Sequence, residues 1–508
     1  MLTVFKNTRP IGYLALIELF QLKVIPHFRY SYVTPKGSRQ IIKDNHYEQH
    51  IYPRSYAPRD ENNPFLQLEF AIKYDGINLE ILKKIFAKLS AQEVANYAQS
   101  KPTGRHARKI WFLYEYLMDK KLAIPDIKSG QYFDLLDSKK YYTSQPLKSR
   151  RHRINNNLLG NRTFCPIVRK TAILNHFEAT NLAKIARDLI AQYDPLIVDR
   201  ATHYLYTKET MSSYKIEREY PTKKRMARFI ELLQQVENLQ VINKELLNKE
   251  FLIELQINIV DPRFANADYR NDQNYIGEQL GQYRQKIHYI SPQPQYVAGL
   301  MAGLLACLSS MLVSKVHPVI IAATISFGLV FIHPFDDGNG RLHRFLIHYI
   351  LSYCGFTPQN TIFPVSATML NNLQDYDRIL EHFSVPLMSL LTDYTLDAEG
   401  RLTAHKSSLA YYQYIDYTEI VEYLFDCIQT TINTEFKNEL SYIANYDKTK
   451  KAIQNIIDMP DKEIDRIIKF ITQNNGKLSS TKRQRYFSKL IDAEIDAIQK
   501  VVQKNMSN

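Results

Sequence analysis

Cysteine is scarce: 508 residues contain four, at Cys165, Cys307, Cys354 and Cys427, with no C-x-x-C spacing. That excludes a disulfide framework and a zinc-ribbon pattern. Cys307 lies in an apolar run and Cys427 among large apolar residues, so buried free thiols in a reducing cytoplasm are expected. Long apolar runs are also lacking. The longest, 298–313 and 319–332, fall short of the roughly 18 residues that suggest a membrane span, and Pro318 and Pro334 bound the second. Both read as buried core helices, and no membrane partner is expected. Residues 1–20 carry Lys6 and Arg9 before a short stretch interrupted by Glu18, with no small-residue cleavage site, and read as no secretory signal. There is no internal repeat, no low-complexity tract, no G-x-x-x-x-G-K-[ST] and no protein-kinase signature set, so neither a P-loop nor a kinase scaffold is indicated.

What is present is an ordinary globular composition, 45% hydrophobic and 23% charged, on a chain long enough for two to four domains. Sixty-five basic against 52 acidic residues leave a net charge of +13. This favours anionic partners such as nucleotides, nucleic acid or acidic surfaces; an AT-rich-style composition heavy in Lys, Asn and Ile accounts for it equally well.

Three regions are read along the chain. Residues 1–170 mix Pro, Tyr and basic residues with helical spacing at 79–89 and 108–117, the latter holding the single tryptophan, Trp111. A basic knot at Lys148, Arg150, Arg151, His152 and Arg153 is either a solvated face or a nucleic-acid contact. Residues 171–400 are mostly helical, with amphipathic stretches at 171–192, 199–211 (ending near Ser212-Ser213), 225–238 and 243–257. Gly277, Gly281 and the alternation around 286–290 predict a hairpin closed by Ser291-Pro292-Gln293-Pro294. Residues 401–508 carry helical patterns at 418–431, 463–473 and 484–502, with a turn at Asn474-Asn475-Gly476. The expected fold class is mainly α: a helical core with a short β-hairpin, flanked by an N-terminal α+β region and a C-terminal helical region.

The most informative stretch is His333-Pro334-Phe335-Asp336-Asp337-Gly338-Asn339-Gly340-Arg341-Leu342-His343-Arg344. His333 ends an apolar helix at a proline-enforced turn, where a histidine serves as a general base or simply as a capping or core residue. Phe335 reads as an anchor. Adjacent Asp336 and Asp337 diverge, so one of them points into a site, and a carboxylate beside phosphates commonly holds Mg²⁺. Gly338-Asn339-Gly340 lets backbone N–H groups converge on an anion at a helix N-terminus. Arg341 and Arg344, three apart, project from neighbouring places on the first turn and suit phosphate oxygens.

With every defined position filled, this stretch resembles the signature of the Fic family, H-P-F-x-[D/E]-G-N-G-R-x-x-R. The resemblance implies a Fic-type core that transfers AMP from ATP to a Ser, Thr or Tyr hydroxyl of a target protein. It implies that His333 takes the hydroxyl proton and Asp337 holds Mg²⁺. Gly338, Asn339 and Gly340 would cradle the phosphates, and Arg341 and Arg344 would grip the β- and γ-phosphates. The hairpin resembles the family's flap, which docks a target segment as an added strand; Tyr275, Ile276, Gly277 and Tyr289 fall at its edges. Ser213-Tyr214-Lys215-Ile216-Glu217-Arg218 resembles the inhibitory [S/T]-x-x-x-E-[G/N] of autoinhibited members, on a helix near 207–219, except that Arg218 replaces Gly or Asn. This implies that Glu217 pairs with Arg344 and blocks the seat of the ATP γ-phosphate.

The expectation is therefore a cytoplasmic, bacterial protein adenylyltransferase with a Fic domain over 171–400. Its partners would be a target hydroxyl, with self-modification and a homodimer as further options, and nucleic acid is only weakly indicated. Rival expectations are AMP removal or another phosphate-group transfer on the same scaffold, or a DNA-binding regulator.

Overall fold

Short strands near the N-terminus form the first sheet. In the computed structural model, which describes residues 7–44, 47–242, 247–280, 285–397 and 399–506, with backbone alone for 237–242, Arg9–Ile11, Arg29–Thr34, Glu48–Pro53 and Gln40–Lys43 lie side by side in that order. Arg29–Thr34 and Glu48–Pro53 run parallel, and the other pairings are antiparallel. Gly12 turns the chain into helix Tyr13–Phe20 at φ +70, and a Cβ there would stand 2.1 Å from Asp75 Oδ2. The close approach lets Asp75 cap that helix: its carboxylate accepts from the Tyr13 amide at 3.1 Å and from the Ser31 hydroxyl at 2.5 Å. Burial pushes the Asp75 carboxyl up to about 7.

The described chain forms two compact units, each built from separated stretches. The first combines 1–179, 241–351 and 373–425; the second combines 180–240, 352–372 and 426–508. This grouping divides the chain differently from boundaries at 170 and 400.

In the first unit, helix Leu79–Phe86 starts where Asn78 caps the Ile81 amide at 2.9 Å, and it buries Leu79, Ile81, Leu82, Ile85 and Phe86. Helix Arg105–Met118 brings Trp111 into the same core. The basic knot folds largely inward beside it. Glu115 accepts from Trp111 Nε1 at 2.8 Å, from Arg151 Nη2 at 2.9 Å and meets His152 Nε2 at 3.0 Å. Arg151 also stacks on Trp111 at 4.8 Å, and Arg153 donates to the Lys128 carbonyl at 2.6 Å. Of the five basic side chains, Lys148 and Arg150 are the exposed ones, because a carboxylate 36 positions upstream recruits Arg151 and His152.

The same unit holds helices Lys249–Ile259, Pro294–Val313, Pro318–Ile332 and Asn339–Tyr353. The third and fourth are almost wholly buried. Pro294–Val313 is longer than the sequence run suggested, because Pro294 at its first turn starts the helix early. At 20 residues it is long and apolar enough to cross a membrane by length and composition, and 44% of that window is buried against the protein.

Three helical stretches read from the sequence have different limits. Residues 171–192 form two helices, Ala172–Thr180 and Leu182–Ile190, because Asn181 turns left-handed at φ +48 and caps the Lys184 amide. The stretch at 199–211 runs as Pro195–Ile216, straight through Ser212 and Ser213, both buried. Residues 484–502 split into Ser480–Tyr486 and Asp492–Met506, since Phe487 and Leu490 turn into the core between them. Asn243 lies outside the described residues; its stretch appears as Lys249–Ile259, capped by Asn248. The turn at Asn475-Gly476 is present, both residues having positive φ.

In the second unit, Pro195–Ile216 packs against Val365–Asn371 and Lys437–Gln454. Glu209 is fully buried on the first of these, and its carboxylate accepts from the Ser366 amide at 2.8 Å and from the Ser366 hydroxyl. A carboxylate at the first turn of Val365–Asn371 meets the positive end of that helix. Ile453, Ile464, Ile467, Ile471 and Ile498 form the unit's other core.

Candidate active site

Helix Pro318–Ile332 stops because His333 adopts the left-handed conformation at φ +52, its amide still bonded to Leu329 O at 2.8 Å. Pro334 then blocks continuation. His333 Nδ1 lies 3.1 Å from Val330 O. A carbonyl only accepts, so Nδ1 carries the proton of the neutral ring and Nε2 holds the lone pair. That is the tautomer a general base at Nε2 requires.

A left-handed histidine costs on the order of 1–3 kcal/mol and persists only when its surroundings hold it. Arg270 does this. It is 3% exposed. Its amide bonds Pro334 O at 2.8 Å. Its guanidinium donates to His333 O at 2.7 Å, Asp272 O at 2.7 Å and Pro292 O at 2.6 Å. One side chain thus ties the histidine turn to both ends of the hairpin. Burial pushes its pKa down to about 10, which leaves it charged at neutral pH.

The loop after the histidine is closed by its own residues. Phe335 is fully buried. Asn339, 2% exposed, donates to Phe335 O at 2.7 Å and accepts from Phe335 N at 3.1 Å. Its side chain therefore holds the loop rather than pointing outward. Asp336 diverges from Asp337 and is held by Asn266, whose amide donates to Asp336 Oδ2 at 2.6 Å. Gln256 bonds Asn266 and reaches Asp337 O at 3.2 Å.

Asp337 Oδ1 accepts from the Gly338 amide at 2.6 Å and from Arg341 Nη2 at 2.7 Å. The side chain is 46% exposed, and Oδ2 takes no hydrogen bond from the described residues. Gly338 has φ +88, and a Cβ there would stand 2.7 Å from Val260 Cγ1. Only glycine meets both the conformation and the close approach. Asn339 and Gly340 open helix Asn339–Tyr353, which presents its N-terminus next to this carboxylate. Arg341 and Arg344, 0% and 1% exposed, lie on its first two turns. Among the described residues no three His, Cys, Asp or Glu side chains converge to hold a metal. A single outward carboxylate suits Mg²⁺, which retains waters and takes phosphate oxygens as further ligands.

The hairpin forms as expected: Tyr275–Gln279 pairs antiparallel with Gln285–Ile290, with an irregularity between Ile276 and Gly277. Gly281 lies outside the described residues. Asn274 at its base reaches Phe335 O at 3.4 Å. Ile276 and Gly277 are exposed and Tyr275 half-buried, whereas Tyr289 is buried and its hydroxyl donates to Phe331 O. Tyr289 thus anchors the hairpin to the helix before the motif, while Tyr275, Ile276 and Gly277 remain on its open strand.

Ser213 and Glu217 belong to the second unit. Ser213 is buried, and Glu217 is half-buried just beyond the end of Pro195–Ile216. Arg218 turns left-handed at φ +59 and is exposed; its guanidinium makes no ion pair with Glu217.

The sequence reading missed Arg270, Asn266 and Gln256. Their one signal was a polar-dense segment, Asn266-Ala267-Asp268-Tyr269-Arg270-Asn271-Asp272, just before the hairpin.

Residues 246–351 match the Fic/DOC family model. The chain is 37% identical over 99 residues to Protein adenylyltransferase Fic of Drosophila erecta, covering 20% of this chain and 18% of that protein. It is 32% identical over 123 residues to the Drosophila willistoni protein of the same name, covering 24% and 22%. The match thus spans about a fifth of those relatives. Among solved structures, a Fic domain containing signaling protein from Bacteroides thetaiotaomicron is similar at TM-score 0.37 and 18% identity, over 51% of this chain and 96% of that one. A Fic family protein from Desulfovibrio desulfuricans is similar at 0.36 and 17%, over 64% and 86%.

Proposed function

We propose that this chain, which carries a Fic/DOC-family domain over residues 246–351, is a protein adenylyltransferase. The observation that carries the reading is the His333 turn. Its ring tautomer is set by Val330 O and its backbone is clamped by Arg270, next to an exposed carboxylate and a helix N-terminus.

In the proposed reaction a target Ser, Thr or Tyr hydroxyl gives its proton to His333 Nε2. Its oxygen attacks the α-phosphorus of ATP. The bond from that phosphorus to the bridging oxygen breaks, pyrophosphate leaves, and AMP stays on the target as a phosphoester. The Asn339–Tyr353 N-terminus and the Gly338 turn stabilise charge on the phosphates. Asp337 would hold Mg²⁺, which when bound offsets the charge of the polyphosphate. The open strand Tyr275–Gln279 would align a target segment by strand addition.

Glu217 is proposed to restrain the enzyme by drawing Arg344 away from the ATP γ-phosphate; Arg218 beside it turns left-handed and is exposed. A reducing cytoplasm belongs to the proposal, supported by four free cysteines of which Cys165, Cys307 and Cys427 are buried. The test is incubation of the Glu217→Gly protein with ATP labelled at the α- or the γ-phosphate. AMP transfer leaves α-label on protein and none from γ. Retention of γ-label alone would mean phosphotransfer, and release of label from a pre-labelled target without net incorporation would mean AMP removal.

A further inference from the structure

Helix Pro195–Ile216 ends in a way that asks for a particular residue. Glu217 caps it, and the Glu217 amide bonds Tyr214 O at 3.1 Å. The Arg218 amide bonds Lys215 O at 2.9 Å, and the Glu219 amide reaches back to Tyr214 O at 3.0 Å. These two nested bonds form a helix C-cap whose geometry requires a left-handed residue at position 218. Arg218 is that residue, at φ +59. A Cβ makes the conformation unfavourable, whereas glycine enters it freely and asparagine more readily than most. Glycine and asparagine are the two residues that the inhibitory pattern carries at this place. The cap that fixes the backbone of Glu217 is therefore closed at a cost set by Arg218.

A second cation offsets that cost. Arg225 lies on the first turn of helix Lys223–Ile242, and its amide donates to the Thr222 hydroxyl at 3.3 Å. Lys223, Lys224 and Arg225 put three cations at the positive end of that helix, where cations are unfavourable. The helix itself thus gives no reason for Arg225, but its contacts do. Nη2 meets Glu219 Oε2 at 3.2 Å, with the two side chains 21% and 35% exposed. Its guanidinium carbon lies 5.2 Å from the centroid of the Tyr214 ring. That ring is fully buried and packs edge-on against Phe229. Arg225 therefore grips Tyr214 and Glu219, the two residues whose backbone bond closes the cap.

We propose that the cap at 214–219 is an adjustable latch on Glu217, with Arg225 the positioning residue that holds it closed and Arg218 the residue that loosens it. The proposal rests on the reading of Glu217 as the restraint on AMP transfer. It sets the level of restraint by backbone conformation: of two neighbouring cations, one opposes the closed cap through its φ and the other supports it through its side chain.

The test compares basal AMP transfer by variants of the full chain with the same variants in a Glu217→Gly background. Arg218→Gly lowers the basal rate about fivefold, and Arg218→Asn lowers it to a lesser degree. Arg218→Ala removes the charge but keeps a Cβ, and leaves the rate within about twofold. Arg225→Met raises it about fivefold, and Arg225→Lys restores part of the restraint. In the Glu217→Gly background none of these changes has an effect, because the latch then holds no carboxylate. Hydrogen exchange at the Arg218 and Glu219 amides reads the cap without reference to activity: protection rises in Arg218→Gly and falls in Arg225→Met. The Arg218 side chain is exposed, so that series stands even where an Arg225 variant fails to fold. Equal effects of Arg218→Gly and Arg218→Ala, or the same effects with and without Glu217, overturn the latch. If Glu217→Gly does not raise the rate, the inhibitory reading itself fails, an outcome distinct from unchanged protection in Arg218→Gly, which overturns the latch alone.

Discussion

Replacing Arg270 by Met keeps the chain length of the side chain and removes every donor. Three backbone carbonyls, of His333, Asp272 and Pro292, now accept from it at 2.6–2.7 Å. A buried acceptor left without a donor costs about 1–3 kcal/mol, so three cost roughly 3–9 kcal/mol. Against this, the buried guanidinium already carries a desolvation penalty, seen in its fall from 12.5 to about 10. Relief of that penalty returns about 3 kcal/mol. The net expectation for Arg270→Met is a loss of roughly 3 kcal/mol, or about 4 °C in melting temperature for a unit of this size. The kinetic effect is larger than the stability effect. Without the bond to His333 O the left-handed turn relaxes, and a misplacement of about 1 Å at a reacting group can cost on the order of a hundredfold in rate. Assayed in the Glu217→Gly background, Arg270→Met should lower kcat about a hundredfold while KM for ATP changes only a few-fold. A variant that melts lower yet keeps its kcat would refute the positioning argument. A variant unchanged in both would refute the clamp itself.

Three further outcomes are expected. His333→Ala abolishes AMP incorporation while ATP binding, read by titration, is largely kept; retained transfer removes His333 from the base role. Gly338→Ala combines φ +88 with a Cβ 2.7 Å from Val260 and lowers stability by about 1–3 kcal/mol in a denaturant melt, whereas an unchanged midpoint would mean the turn tolerates a side chain. Asp75 has a folded-state pKa raised to about 7 from 3.8. The folded chain thus keeps a proton that the unfolded chain gives up, and the associated stability is full below about pH 4 and lost as pH rises through about 7. Relative to Asp75→Asn, the parent should lose on the order of 2–4 kcal/mol between pH 4 and 8; parallel stability curves would contradict this.

The central motif was legible because base, carboxylate, glycine turn and arginines occupy twelve consecutive residues, where spacing maps directly onto one helix end and one loop. What holds that loop was not. Arg270 is separated from His333 by 63 positions, and Gln256 from Asp337 by 81; such contacts leave no periodic trace. Asn339 read as a phosphate-cradling residue, and its hold on the backbone of Phe335, four residues earlier, was not legible beside that role. Tyr289 fell at the hairpin edge in the sequence and inside it in space, where it is buried together with Ile290 and its hydroxyl donates to Phe331 O, a partner 42 positions away. The basic knot read as surface charge because Glu115, which draws Arg151 and His152 inward, lies on a helix far upstream. Asn181 broke a helix through a left-handed turn that its residue type permits but does not require.

The most direct measurement is the fate of the two labels when the Glu217→Gly chain meets ATP and a protein acceptor. AMP transfer fixes α-label on protein, fixes no γ-label and releases pyrophosphate, and Glu217→Gly/His333→Ala loses both the fixed α-label and the pyrophosphate. Label fixed from γ but not α, or α-label fixed undiminished without His333, would contradict it.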